Sequence, residues 1–226
     1  MAYSRNPRSR NRYVFHHAVD DFISDPNFVY FVSFPRTGSH WFRIFMEKYT
    51  GTPSLVQSFT IPKPKSFWSY HRHDKDLNEV NGRKKVLYLY RNPVDTLFSQ
   101  ISYEEEKKSI DTVNKYIDMY SKHILKWLYN NNADEFLSMT YENLKNNPYK
   151  EIEKVLSFLN FEISKNKMVY CYESSKKSFT KKVTGDTNNG VMNLSESYEG
   201  QRDLFKKEYS KYILDKFSEI DSRFNF

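Results

Sequence analysis

Hydrophobic and polar positions along this chain follow two rhythms in turn. NFVYFVSF (27–34) is a short, nearly continuous apolar run rich in Val and Phe, the signature of a strand covered on both faces in a parallel sheet. Beyond PRTGSH, Trp41, Phe42, Phe45, Met46 and Tyr49 recur at helical spacing with Arg43, Glu47 and Lys48 on the other side, and Gly51 stops the helix. KVLYLYRNP (85–93) repeats the strand pattern. VDTLFSQISY then turns Val94, Leu97, Phe98 and Ile101 to one face, with Asn92 as N-cap and Pro93 as first helical residue. A longer amphipathic helix runs from about Val113 to Leu128 through Tyr116, Ile117, Tyr120, Ile124 and Trp127. The strand EFLSMTY (135–141) follows, and then a helix opened by Asn147-Pro148 and carried by Ile152, Val155, Leu156 and Leu159. A last helix, over about 202–217, is marked by Leu204, Phe205, Tyr212, Ile213 and Phe217.

Strand and helix alternating over short connections predict an α/β fold, a three-layer parallel sheet with helices on both faces. Ligands of such folds sit at the carboxyl ends of the strands, so the loops after Phe34, Tyr90 and Tyr141 are expected to open on one crevice. PRTGSHW suits an anion. Gly38 lets the backbone approach closely, first-turn N–H groups point at the ligand, Arg36 adds a fixed charge, and Thr37 and Ser39 add hydroxyl donors. The stretch lacks the GxxxxGK[ST] pattern, and a capped helix start of no function shares its features. In the second loop Arg91 precedes the helix cap, and Ser99 lies two turns in, on the face opposite Leu97 and Ile101. Both can reach an anion lying along the helix; the alternative is an Arg91–Asp95 pair and a solvated serine.

Composition narrows the class. A length of 226 residues suits one domain, and 35 Lys+Arg against 28 Asp+Glu leaves +7, which fits an anionic ligand, an acidic polymer or a membrane surface equally. Aromatics at 17% speak for a folded core rather than disorder. The single Cys171 excludes an internal disulfide and a thiolate metal cage, and the histidines do not form HExxH, so no metal site is expected. No apolar run reaches a membrane span and MAYSRNPRSRNRY has no apolar core for a signal peptide, so a cytoplasmic protein is expected. Arg5, Arg8, Arg10 and Arg12 read as a solvated, flexible terminus over residues 1–12.

SFPRTGSHW resembles the 5'-phosphosulfate-binding loop of the PAPS-dependent sulfotransferases, whose cytosolic members read close to YPKSGTTW. YRNPVDTLFSQ is similar to their 3'-phosphate segment, close to RNPKDxxxS, and MTYENLKNNPYKEIEKVLSFL to YEDMKxxPxxxIxxIxxFL. Three segments in order with compatible spacing are far more specific than any one of them, and the resemblance covers residues 28 to 160 well. It implies the P-loop-NTPase-like sulfotransferase fold in a single domain over 1–226, and 3'-phosphoadenosine 5'-phosphosulfate (PAPS) as sulfate donor with PAP as product. Carried over by position, Arg36, Thr37, Gly38, Ser39 and His40 line the 5'-phosphosulfate, and Arg91 and Ser99 take the 3'-phosphate. Trp41 stacks on the adenine and Tyr141 faces it, while Ser174 or Ser175 matches a family Thr-Ser pair. Lys181 and Lys182 in FTKKVTGD resemble the family's RKGxxGD element, one residue short of its spacing. Two departures stand out: Arg36 replaces the usual lysine, a planar fork for a mobile ammonium, and His40 replaces the second threonine.

Sulfuryl transfer to a hydroxyl or amine needs a base for the acceptor's proton, and histidine titrates near working pH. The family's base follows a strand in a KTH-like context. In FWSYHRHDKDL, His73, followed by Asp74, fits that place and His71 competes with it. His16, His17 and His123 read as structural or solvated. The implied partner is a small-molecule or carbohydrate acceptor, with no nucleic acid. Two other classes stay open: a P-loop-type ATP-dependent kinase, opposed by the missing Lys-Ser/Thr pair and the lack of a clear strand-end Asp for magnesium, and a non-catalytic nucleotide- or polyanion-binding module.

Overall fold

The computed structural model describes residues 3–5, 13–15, 25, 28–55, 57–79, 82–176, 196–224 and 226. Two short strands, β1 (Tyr3–Arg5) and β2 (Tyr13–Phe15), precede the central strand β3 (Tyr30–Ser33). The PRTG turn then leads into α1 (Ser39–Thr50), which Gly51 closes in a left-handed conformation, its N–H on the carbonyl of Glu47. Strands β4 (Ser54–Leu55), β5 (Gln57–Ser58), β6 (Ser69–Arg72) and β7 (Lys85–Tyr90) follow. Helix α2 (Pro93–Tyr103) starts as its sequence requires, with the Asn92 side chain accepting from the N–H groups of Val94 and Asp95 and Pro93 at its first position.

Helix α3 (Ile110–Ile124) runs into a π-helical turn, Leu125–Tyr129, before β8 (Glu135–Thr140). No loop separates β8 from α4 (Tyr141–Asn146). Thr140 ends the strand and caps the helix with its own hydroxyl, which accepts from Asn143 N–H. Helices α5 (Pro148–Phe158), α6 (Lys165–Ser174) and α7 (Glu196–Ile220) complete the described chain.

Among the described residues one eight-stranded sheet runs in the order β1-β2-β5-β4-β6-β3-β7-β8. From β4 to β8 the neighbours are parallel. The edge beyond β4 is antiparallel, an addition to the all-parallel sheet expected from the apolar runs. Strand β3 lies between β6 and β7, so the loops after all three open at one end of the sheet.

Period two along the strands sorts their side chains. Phe31, Leu87, Leu89 and Met139 pack with Phe42, Phe45 and Met46 of α1, with Ile152, Val155 and Leu156 of α5, and with Met168 and Cys171 of α6. Tyr30, Val32, Val86 and Tyr88 meet Trp127 of the π-helical turn. Helices α2, α3 and α7 share a further apolar cluster capped by Phe34. The result is helix, sheet, helix.

Candidate functional site

The turn between β3 and α1 is built from two left-handed residues, Arg36 at φ 70° and Gly38 at φ 97°. A left-handed arginine is strained, and such a conformation persists only where its surroundings over-determine it. Here they do: Arg36 Nε donates to Ser99 Oγ at 3.1 Å, its guanidinium lies 4.8 Å from the Tyr103 ring, and its carbonyl accepts from Arg91 Nη1 at 3.3 Å. Gly38 is demanded twice, because a Cβ there would stand 2.4 Å from Tyr141 Cδ2 as well as at a forbidden φ. Thr37 is buried and donates to the Phe34 carbonyl at 2.8 Å, which folds the turn back on β3.

Residues of all three resembling segments therefore meet in one cluster. Arg91 stacks over the Tyr141 ring at 4.6 Å, and its guanidinium lies near Asp95 at 3.8 Å and Glu142 at 4.0 Å. Its Nε is buried, and among the described residues no acceptor sits within hydrogen-bonding distance of it. Buried charged donors are rarely left so, and an anion is one group whose chemistry could complete the arrangement. Ser99 is buried too, and its Oγ accepts from a second donor, the Tyr198 hydroxyl of α7, at 3.4 Å. The Arg91–Asp95 pair weighed from sequence exists beside this cluster rather than instead of it.

The remaining nucleotide candidates line the start of α1 and the end of α6. Ser39 is buried in the first helical turn, and His40 meets Phe59 edge to face at 5.5 Å. Trp41 meets Tyr172 edge to face at 5.9 Å, and Lys48 Nζ binds the Ser174 carbonyl at 2.6 Å, so α1 and the C-terminus of α6 are joined. The hydroxyls of Ser174 and Ser175 both turn back to the Cys171 carbonyl, at 3.2 and 2.6 Å. Lys181 and Lys182 lie outside the described residues, as do His16 and His17.

On the other side of β3 the two candidate histidines differ sharply. His71, inside β6, is buried, with Nε2 at 2.9 Å from Ser33 Oγ, and burial together with the neighbouring Arg43 drives its pKa well down. His73 follows the strand and is only partly buried. Its Nδ1 lies 2.8 Å from the carbonyl oxygen of Ser33, which can only accept, so Nδ1 carries the proton and Nε2 the lone pair. Desolvation, and after it the charges of Arg43, Lys75 and Arg36, lower His73 to about 4 against the supporting Ser33 bond. The ring is neutral at neutral pH.

Ser33, Tyr103 and Tyr198 were not anticipated from sequence. Ser33 left a signal, as the one serine at the carboxyl end of an otherwise aromatic and aliphatic strand; Tyr103 and Tyr198 left none. Among the described residues no three His, Cys, Asp or Glu side chains converge as a metal site would require, and no helix is long and apolar enough to cross a membrane.

Comparison with known proteins gives a consistent result. A family model described as "Sulfotransferase domain" matches residues 54–213, a span beginning downstream of the PRTGSH turn. The chain is 25% identical over 187 residues to the amine sulfotransferase of Oryctolagus cuniculus, covering 66% of this chain and 62% of that one. It is 26% identical over 165 residues to sulfotransferase 2A6 of Rattus norvegicus, covering 57% of each. The chain thus spans less than two thirds of the length of these curated relatives. Among solved structures, retinol dehydratase in complex with retinol and PAP is similar at a TM-score of 0.60 and 12% identity, over 96% of this chain and 89% of that one. The mouse sulfotransferase SULT7A1 complexed with PAP is similar at 0.51 and 18%, over 91% and 92%. At such identities these two likenesses speak to fold.

Proposed function

The chain belongs to the sulfotransferase family, and from that premise we propose that it moves a sulfuryl group from PAPS to a hydroxyl or amine of a small-molecule or carbohydrate acceptor, releasing PAP. The observation that carries this reading is the half-buried cluster of Arg36, Ser99 and Arg91 around a Gly38–Tyr141 contact, in which Arg91 Nε finds no hydrogen-bond acceptor among the described residues. It is a preformed place for a doubly phosphorylated nucleotide. Bound there, PAPS would supply an activated sulfuryl group on a phosphosulfate anhydride.

The chain's own residues divide the work. Arg36, Thr37, Gly38, Ser39 and His40, with the first-turn amides of α1, hold the 5' end and stabilise charge that develops on the departing phosphate. Arg91 and Ser99 hold the 3'-phosphate, and Trp41 and Tyr141 flank the adenine. His73 Nε2 takes the proton of the acceptor, with Ser33 keeping the ring in the needed tautomer. His71, its Nε2 already engaged with Ser33, is a support to the base and not the base. As in phosphoryl transfer, positioning and electrostatics supply most of the rate, with transfer in line. A cytoplasmic location belongs to the same reading and accords with the lone, buried Cys171.

The similarity to the amine sulfotransferase favours a small organic acceptor over a carbohydrate. Calorimetry with PAP, beside ATP with magnesium, tests the donor half. Tight, metal-independent PAP binding with none of ATP supports the proposal, and the reverse pattern points to a kinase and sinks it. A His73→Ala variant that binds PAP normally but transfers no sulfate from PAPS separates an enzyme from a binding module.

A further inference from the structure

One face of α3 and its π-helical turn is given over to the segment that carries His73. His123, Lys126 and Trp127 stand at i, i+3 and i+4, on one side of the helix. All three donate to residues 73–79. His123 Nε2 lies 2.9 Å from the carbonyl oxygen of His73, which can only accept. Lys126 Nζ donates to Asp74 Oδ2 at 2.7 Å and to the carbonyls of Leu77 at 2.9 Å and Glu79 at 2.7 Å. Trp127 Nε1 donates to the same Asp74 Oδ2 at 2.8 Å, and the other oxygen accepts from Glu79 N–H at 2.9 Å. Asp74 itself is in the left-handed region at φ 43°, a conformation that needs such holding.

His123 is fixed in turn. With its Nε2 donating, its Nδ1 must accept, and Tyr88 OH supplies that proton at 3.0 Å. Burial keeps the phenol protonated and the imidazole neutral, lowering His123 to about 3. The ring sits between Phe34, at 5.3 Å edge to face, and Tyr88, at 5.6 Å. This buried polar chain reaches the site from behind: Tyr88 to His123, His123 to the His73 peptide, and the His73 ring to Ser33. Lys126 and Trp127 both lie in the π-helical turn, and such turns recur at functional sites.

We infer that His123 is a positioning residue, which fixes the peptide of His73 and through it the ring tautomer that leaves Nε2 free. The inference rests on the reading of His73 as the base. With His123 gone, the half-buried His73 carbonyl loses this donor, and the cost of that loss turns the peptide toward another partner. Rotation of that peptide carries the ring away from the Ser33 carbonyl, and the preference for a proton on Nδ1 goes with it.

The test is nitrogen NMR of 15N-histidine-labelled full-length protein, with His73→Ala identifying the His73 ring signals. In the parent, His73 is expected in one form, protonated at Nδ1. His123→Phe keeps ring volume but removes the donor, and a second His73 tautomer should then reach a tenth or more of the population. His123→Gln, which restores a donor, should return it to one form. PAP affinity by calorimetry should stay within about twofold of the parent in both variants, because His123 bonds to Tyr88 and to the His73 peptide and to none of the residues assigned to the nucleotide; a tenfold change would mean a general structural role and overturn the inference. A single unchanged tautomer in His123→Phe would overturn it directly. Should that variant fail to fold, Tyr88→Phe, which removes the proton donor to His123 Nδ1, carries the same two outcomes. Failure of the base itself shows elsewhere, as parental sulfate transfer by His73→Ala, whatever the ring signals do.

Discussion

The guanidinium of Arg36 donates through Nε to the hydroxyl of Ser99 at 3.1 Å, across 63 positions of sequence. This bond joins the turn after β3 to the second turn of α2, and the Arg36 carbonyl is held by Arg91 as well. The residues assigned to the two ends of the nucleotide are thus in contact with each other, and loss of either arginine should be felt by a ligand that spans both.

Arg91→Ala is expected to weaken PAP binding by about 10- to 100-fold, the range for one charged hydrogen-bonding group. Adenosine 5'-phosphate, which lacks the 3' group, should lose much less. Calorimetry on both ligands checks this, and equal weakening would remove Arg91 from the 3'-phosphate.

Gly38→Ala meets two obstacles, an unfavourable φ of 97° and the Tyr141 ring at 2.4 Å from the new Cβ. A loss of about 1–3 kcal/mol in urea unfolding is expected, with weaker PAP binding. Adding Tyr141→Ala removes the collision but not the backbone cost, so the double variant should recover stability only in part. Full recovery would show that φ is of no consequence here.

Much of this was legible in the sequence. The apolar runs and the helical spacing placed β3, α1, β7, α2, α3, β8, α5 and α7, because each buries a face that the other elements share. The PRTGSH turn and the Arg91-to-Ser99 spacing were singled out by a family resemblance, and the structure brings Arg36, Arg91 and Ser99 into contact. Helix α6 was not legible: Val169 and Tyr170 are exposed on it, and it has no continuous apolar face. Strands of two residues, β4 and β5, carry no period at all. Sequence also left His71 and His73 in competition, since their difference lies in one carbonyl and one hydroxyl of Ser33, contributed by a neighbouring strand. His123 was read as structural or solvated because a polar residue on an apolar helix face does not announce its partner.

Titration of His73 follows from its surroundings. Desolvation, then Arg43, Lys75 and Arg36, hold it at about 4 in the free protein. A nucleotide anion neutralising Arg36 removes one of these causes and adds an attraction for the imidazolium, so PAP should raise the midpoint. NMR titration with and without PAP reads this directly, and a lowered midpoint would place the anion elsewhere.

Acid stability carries the same sign for three histidines. His71, His73 and His123 are all lowered in the folded state, the last two to about 4 and 3. Above the ordinary value of about 6.5 they are neutral whether folded or not. As pH falls below it, the unfolded chain takes up protons first and stability drops, by up to about 1.4 kcal/mol per pH unit for each histidine. The loss attributable to His73 is complete once pH passes its folded value. Urea unfolding at pH 7, 6 and 5 should show this slope, and His73→Ala should make it shallower; an identical slope would deny His73 its lowered pKa.

Glu47 holds the segment that leaves β5 and is itself closed in. Its carboxylate is buried and accepts from Ser58 Oγ at 2.8 Å, Phe59 N–H at 2.9 Å, Thr60 N–H and Oγ1 at 2.6 Å each, and Ile61 N–H at 2.9 Å. Those bonds set the path of 58–61, and so place Phe59 beside His40 and Arg43. Glu47→Ala strands several buried donors at once and should cost about 3 kcal/mol or more. Glu47→Gln should rescue it only in part, because the amide oxygen can take the place of Oε1 while the NH2 then faces the Phe59 N–H. With the segment released, trypsin should cut after Lys65 faster than in the parent, while Lys63 stays protected by the proline that follows it. Parental stability and parental cleavage in Glu47→Ala would mean that the segment is held by its aromatic contacts, and that the carboxylate only reports their position.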